Sequence, residues 1–355
     1  MRASQAEKPG VRAPADLRQR GPIFVVGNSR SGTTMMGRVL GRHPEVFTLG
    51  EIHFFEQLWS APDGERSISR TEAVSLAARL LCIQRDGYLN QGRPERFYEE
   101  AERLLASLRP GDLVPAKIFE AFLVSEAEKN GKTVPCDQTP RNVFYIGEIL
   151  ALYPEARVIN MVRDPRDVLL SQKRKWKRRF LGAYDIPLRE ALRSWANYHP
   201  IIISKLWNAS TSAAGRHAGD PRVHFLRFED LVNEPESNIR EVCEFAGLSF
   251  EENMLQVPRV GSSSGLDHPE QRGIDRDRAG SWKSGGLSST EIFLCQKITG
   301  GPMRRYGYPL LTLSRPNAPR LVASLVSFPA KLVFALLLNL GRMRNIQETI
   351  RRRLS

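Results

Sequence analysis

The stretch Pro22-Ile23-Phe24-Val25-Val26-Gly27-Asn28-Ser29-Arg30-Ser31-Gly32-Thr33-Thr34 restricts the fold more than any other part of the chain. Ile23 to Val26 are wholly apolar, and the run stops at a glycine-bounded polar loop followed by the helix-compatible segment Met35 to Gly41. So short an apolar run between turn signals reads as a strand buried on both faces. Strand, tight loop and helix turn a row of backbone N–H groups, at the positive end of a helix, toward an anion. The spacing from Gly27 to Gly32 is that of a nucleoside-triphosphate phosphate loop, but Thr33 occupies the position of its lysine. Without that lysine, ordinary ATP or GTP chemistry is disfavoured, and Arg30 inside the loop is the only cation available to replace it.

Further short strands follow at Thr133–Cys136, Arg157–Val162 and Val223–Phe228, each ending in a polar segment. Helical patterns lie between them: Glu51 to Trp59, Thr71 to Gln84, Pro94 to Leu108, Pro115 to Asn130, Arg141 to Tyr153, Pro165 to about Phe180, and Pro187 to Asn208. Two more, Glu229 to Val232 and Glu236 to Ala246, come after the last strand. His43 to Glu51 reads as a turn and a short extended piece, and Gly261 to Gly286 as a long functional loop or lid. Alternating strands and helices imply an α/β, P-loop-like three-layer fold with a central parallel sheet of about four to five strands. Ligands of such sheets sit beyond the carboxyl ends of the strands, which gathers the loops after Val26, Cys136 and Val162 at one site.

On these patterns residues 1–20 form a disordered leader, polar and without the apolar core of a signal peptide. Residues 21–312 form the main domain and 313–355 a basic, apolar tail. Net charge is +13; the tail alone holds eight basic residues against one acid, Glu348. That distribution suits a polyanionic small ligand and a membrane surface, and no nucleic-acid motif with interleaved aromatics is visible. Leu321 to Leu340 has fifteen apolar residues in twenty. Lys331 at its centre costs about 3 kcal/mol on insertion scales. A monotopic or re-entrant anchor bent at Pro329 therefore fits better than a clean span, with a helix packed on the domain as the competing reading. Cys82, Cys136, Cys243 and Cys295 lack any metal or redox spacing and read as four buried thiols in a reducing compartment. The six histidines form no metal motif, so no metal is expected.

Arg30 in the first loop, Arg163 at the end of the third strand, and Ser171 eight residues after Arg163 supply two cradles for anions. A nucleotide phosphorylated at both ends would fill both. These residues resemble the sulfotransferases that use 3′-phosphoadenosine 5′-phosphosulfate (PAPS), especially the group of bacterial and tyrosylprotein enzymes. Arg30-Ser31-Gly32-Thr33-Thr34 is similar to the family's 5′-phosphosulfate loop, and Arg163 with Ser171 to its 3′-phosphate element. Arg278-Ala279-Gly280-Ser281-Trp282-Lys283 resembles the Gly-x-Trp-Lys segment that closes over the nucleotide, and Leu226 to Leu231 its Arg-Tyr-Glu-Asp-Leu element. The resemblance runs from about Pro22 to Tyr308, with four motifs in order.

The resemblance implies in-line sulfuryl transfer from PAPS, without a metal, to a hydroxyl (ahead of an amine) of a glycan, lipid or small molecule. It assigns Arg30, Ser31, Gly32, Thr33, Thr34, Arg163, Ser171, Lys175, Arg276, Arg278 and Lys283 to the nucleotide. Glu51 stands where tyrosylprotein members carry their base, so Glu51 and Arg30 are the catalytic candidates, with His53 the competing base. Gln138 replaces the family's lysine in Asp137-Gln138-Thr139-Pro140, and Phe228 its usual tyrosine, which removes a cationic and a hydroxyl contact. Arg163 and Arg166 also have a plain alternative as ion pairs with Asp164 and Asp167. The run Lys173 to Arg179 reads as a solvated basic face, Lys175 excepted. With the tail, the expected place is cytoplasmic and peripheral at a membrane. Three other readings compete: a P-loop kinase, a serine hydrolase built on Gly27-x-Ser29, and a non-catalytic peripheral membrane protein.

Overall fold

A computed structural model describes residues 20–60, 66–88, 91–181, 184, 186–260, 268–312 and 316–339. The leader (apart from residue 20) and the end of the tail beyond residue 339 lie outside the described residues. Five strands, β1 (Ile23–Gly27), β2 (Val46–Thr48), β3 (Val134–Asp137), β4 (Arg157–Val162) and β5 (Val223–Arg227), form one parallel sheet in the order β2-β3-β1-β4-β5. β1 lies at its centre, pairing Ile23 with Cys136 on one side and Val26 with Asn160 on the other. All five residues of β1 are buried because the sheet is covered on both faces. Phe24 and Val26 enter one core with Phe54, Phe55, Phe119 and Phe122, while Ile23 and Val25 enter another with Met36, Val39 and Leu40. This period-two division of a continuous apolar run is what a doubly covered parallel strand requires. All four cysteines are free and buried.

β2 is the fifth strand that the short extended reading of His43 to Glu51 left outside the sheet. It pairs in parallel with β3, Val46 opposite Val134, so its carboxyl end delivers Leu49, Gly50 and Glu51 to the same edge as the first loop. The expected helix over Glu51 to Trp59 is instead one π-helical turn, Phe54–Leu58, entered through His53 at φ 55°. Phe54 and Phe55 are adjacent and both fully buried, against Phe119 and Trp59 among others. The apolar spacing there reflects burial on every side rather than one helix stripe.

The helices are α1 (Thr33–Leu40), α2 (Arg70–Asp86), α3 (Tyr98–Leu105), α4 (Pro115–Lys129), α5 (Ile146–Leu152) and α6 (Pro165–Arg174). They continue with α7 (Leu188–Ala196), α8 (Pro200–Gly215), α9 (Phe228–Asn233), α10 (Pro235–Ala246), α11 (Ser289–Arg305) and α12 (Ala318–Leu337). A reciprocal capping box starts α2, where Ser69 accepts from Glu72 N–H and Glu72 accepts from Ser69 N–H. The long helix expected over Pro187 to Asn208 is two helices, because Pro200 can only begin one. α6 stops at Arg174 and passes into a 3₁₀ segment, Lys175–Phe180. The expected loop at Gly261 to Gly286 contains a strand, β7 (His268–Arg272), antiparallel to β6 (Pro258–Arg259), then two 3₁₀ turns; residues 261–267 lie outside the described residues. α11 was not expected. Pro329 leaves α12 continuous.

Candidate functional site

The first loop is built around backbone constraints. Gly27 has φ 145°, and a Cβ there would lie 2.3 Å from the Met161 carbonyl oxygen of β4. Arg30 is left-handed at φ 75°, a conformation that costs a non-glycine residue roughly 1–2 kcal/mol. Gly32 precedes α1 at φ 97° with no side chain to cap it, so the first N–H groups of the helix keep no intrahelical partner. A Cβ on Gly32 would meet the Phe228 ring at 2.4 Å. Phe228 thus floors the loop, where the family's tyrosine was expected to contribute only a hydroxyl. Ser31 and Thr33 are buried, and the Ser31 Oγ has no protein partner.

Arg30 is fixed from two sides by the third-strand motif. Its Nε donates to Ser171 Oγ at 2.9 Å, and its carbonyl accepts from Arg163 Nη1 at 3.4 Å. Arg163 in turn lies over the Phe228 ring at 4.2 Å and donates through Nη2 to the Arg278 carbonyl at 2.5 Å. Asp167, 3.7 Å from Arg163, accepts from the N–H groups of Gly280 (2.8 Å) and Trp282 (2.9 Å), which ties the late segment to α6. Arg166 is the plain ion pair of the two alternatives: it grips Asp164 with two nitrogens and lies 4.0 Å over Trp282.

Of these residues Arg30, Gly32, Arg163, Asp167, Ser171, Phe228 and Arg278 line a cleft of about 250 Å³, with Thr34, Met35, Arg38, Arg178, Val257, Pro258, Arg259 and Val260. Six arginines (30, 38, 163, 178, 259 and 278) face three carboxylates there, Asp167, Asp275 and Asp277. The Nε atoms of Arg163, Arg178 and Arg259 are buried without a protein partner, which a native interior avoids unless a ligand completes them. Burial and the charges of Arg178 and Arg163 lower Arg30 to about 9, still protonated at neutral pH. The set fits a polyanion: the uncapped start of α1 and six guanidinium groups line one space.

Arg38, Arg178 and Arg259 were missed by sequence reasoning. Arg38 had a legible signal, lying one helical turn beyond Thr34; Arg178 was hidden in the run read as a solvated face, and Arg259 lies just before the loop read at Gly261 to Gly286, in a stretch given no element. Arg276 and Lys283 are exposed and outside the cleft lining.

On the far side of Arg30 stands a second group. Glu51, 43% exposed, lies 3.3 Å from His53 Nε2, while His53 Nδ1 faces Glu56 at 3.2 Å, and Glu56 pairs with Arg141. Each ring nitrogen of His53 thus faces one carboxylate. Although the Glu51 side chain keeps this exposure, the protein packed around it displaces enough water to push its carboxyl up; the His53 hydrogen bond and the charges of His53, Lys175 and Arg30 outweigh that and bring it below its ordinary value. His53 is therefore placed as a partner of Glu51. Lys175 sits in the same field: burial first, then Arg30, lowers it to about 8, with Glu51 opposing. Beneath them Thr139 Oγ accepts from the Ile52 N–H at 3.0 Å and donates to buried Asp137 at 2.6 Å, which holds the segment after β2 on β3. Gln138 is buried, its Oε1 unpartnered.

The model of the Sulfotransferase family matches residues 22–252. An uncharacterized protein of Aquifex aeolicus is 29% identical over 66% of this chain. The omega-hydroxy-beta-dihydromenaquinone-9 sulfotransferase of Mycobacterium bovis is 28% identical over 64% of it. The chain spans 26% of the first and 63% of the second. Human carbohydrate sulfotransferase 5 is 24% identical, covering 85% of this chain and 80% of that protein. Among solved structures, the sulfotransferase domain of a Synechococcus olefin synthase aligns over 87% of this chain and all of that one, at 20% identity and a TM-score of 0.47.

Proposed function

The chain belongs to the Sulfotransferase family, and from that premise we propose that it transfers the sulfuryl group of PAPS to an acceptor hydroxyl. The observation that carries this reading is the trio of buried, unpartnered guanidinium nitrogens on Arg163, Arg178 and Arg259, in one cleft with the uncapped start of α1. The loop N–H groups, Ser31 and Arg30 would hold the 5′-phosphate end. Arg163, Ser171 and Arg278 would hold the 3′-phosphate, and Met35, Val257 and Val260 offer an apolar wall to the base. Arg276 and Lys283 have no support from the geometry for their nucleotide assignments.

In the transfer, the acceptor oxygen bonds to sulfur as the bond from sulfur to the 5′-phosphate oxygen breaks, and the electron pair leaves on that phosphate. Arg30 and Lys175 would offset its growing charge, and Glu51 would take the acceptor proton. Such a loose transfer depends on positioning and electrostatics, which this chain supplies with cationic side chains. The acceptor class is open among glycan, lipid and small-molecule hydroxyls, and α12 would hold the enzyme at a membrane surface.

Thermal-shift titration with 3′-phosphoadenosine 5′-phosphate (PAP) against ADP and AMP tests the donor site. At a hundredfold excess over Kd, a ligand of the native state stabilises by about 2.7 kcal/mol, roughly 5–10 °C for a domain of this size. PAP alone should reach that. A preference for AMP or ADP would overturn the reading.

A further inference from the structure

α12 does not stand free of the domain. One stripe of it, Ser324, Ser327, Phe328, Lys331 and Ala335, together with Asn339 just past its end, packs on α7 and the start of α8. The contacts are polar as well as apolar. His199 Nε2 lies 3.1 Å from the Ser324 carbonyl, Lys331 Nζ lies 4.8 Å from the centre of the Trp195 ring, and Asn339 donates to Asn197 at 3.1 Å. The opposite stripe is apolar and exposed, through Val322, Leu325, Val326, Val333, Phe334 and Leu337, with Val326 73% exposed.

α7, which packs against α12, carries an exposed apolar stripe of its own. Leu188, Leu192 and Trp195 recur at i, i+4 and i+7, hence on one helix face, and are 53%, 59% and 57% exposed. Single exposed apolar residues need no explanation, but two packed helices that both turn such a stripe outward do. Around it are cations: Lys177, Arg189 and Arg320 are exposed, and the sequence beyond the helix continues with Arg342 and Arg344. α12 itself contains no acidic residue.

We propose that the joint outer face of α7 and α12 lies flat in the interface of an anionic lipid bilayer, and that the acceptor is an alcohol resident in that bilayer. Length and composition would allow α12 to span a membrane, but spanning would strip its polar stripe from His199, Trp195 and Asn197 and bring Lys331 into hydrocarbon. Lying flat keeps every one of those contacts while the apolar stripe leaves water and the rim cations meet lipid phosphates. The acceptor half rests on the transferase reading above and on position. α7 packs directly on the segment Lys175–Phe180, and Arg193 of α7 is among the charges that lower Lys175. The bilayer-facing helix is thus the immediate neighbour of the group that would meet the transferring sulfuryl.

The full chain is tested by flotation with phosphatidylcholine vesicles, with and without one part in three of phosphatidylglycerol. The wild type should float with the anionic vesicles, with at least tenfold less bound to the neutral ones. The pairs Val326→Glu with Val333→Glu (α12) and Leu188→Glu with Leu192→Glu (α7) should each reduce flotation at least tenfold, with the PAP thermal shift unchanged. Normal flotation of the α7 pair would mean that α12 inserts alone and would overturn the flat placement. No flotation of the wild type, or a dimer dispersed by the α12 pair, would assign the face to a second copy instead. Radiolabelled PAPS is then supplied with a total lipid extract in vesicles and, separately, with the aqueous extract. Label should enter the lipid fraction, and its absence there overturns the acceptor class. Failure of PAP to bind would sink the transferase reading and leave the docking result standing.

Discussion

Arg30 and Ser171 lie 141 residues apart in the chain and are joined by one hydrogen bond, Nε to Oγ at 2.9 Å. The two anion cradles are therefore one continuous structure, and Ser171 orients the guanidinium that would face the bridging oxygen. Removing the hydroxyl in Ser171→Ala leaves Arg30 charged but takes away this hold on its Nε. Loss of a hydrogen bond to a charged group costs about 1.5–3 kcal/mol, so PAP affinity, measured by calorimetry, should fall by one to two orders of magnitude. An unchanged affinity would place Ser171 outside the nucleotide site.

Glu51 is held by His53, and its lowered carboxyl pKa means that it is ionised across the neutral range. Glu51→Gln keeps the shape and cannot accept a proton. Turnover should fall on the order of 10²-fold or more, while the PAP thermal shift stays as in the wild type. Loss of both together would show a structural role. Retained turnover would remove Glu51 as the base.

The sheet and the first anion site were legible because their signals are local. β1 is a buried run that needs only neighbours on both faces, and Arg30, Arg163 and Ser171 sit at fixed offsets from strand ends. Glu51 was named as a candidate from the resemblance alone, since the strand that positions it, β2, is three residues long and too short for any period to register. Arg178 and Arg259 could not be read, since they come from a 3₁₀ segment packed against α7 and a two-residue strand held by its pairing with β7. α11 escaped because Gly300, Gly301 and Pro302 interrupt its pattern late, though Ser288 and Glu291 form a legible capping box. The helix expected at Glu51 failed for the opposite reason: Phe54 and Phe55 both face core.

Lys175 gives the site a pH dependence. Its pKa is lowered to about 8 by burial and by Arg30, so in the free enzyme the cation is present below that value and lost above it. If the cation offsets leaving-group charge, kcat/KM for PAPS should decline about tenfold per pH unit above pH 8, since that parameter reports the free enzyme. The bound donor is anionic and favours the protonated amine, so kcat should hold to higher pH than kcat/KM. Lys175→Arg should move the decline upward. An identical decline in that variant would assign it to another group.

Gly32 has no room for a side chain and a backbone that disfavours one. At φ 97° an alanine would carry roughly 1–2 kcal/mol of strain. Its Cβ would also sit 2.4 Å from the Phe228 ring, and overpacking of that kind costs about 1–3 kcal/mol. Gly32→Ala should therefore lower stability by roughly 2–5 kcal/mol, seen as a fall in the denaturant midpoint, and weaken PAP binding by displacing the loop. The two contributions separate in a double-mutant cycle. Phe228→Ala removes the ring, so in that background Gly32→Ala should cost only the backbone part, giving a coupling of about 1–3 kcal/mol. Additive costs would mean that the loop shifts away from Phe228 without resistance. In that case the ring under the loop, and the cation–π contact it makes with Arg163 at 4.2 Å, would not be what fixes the cradle.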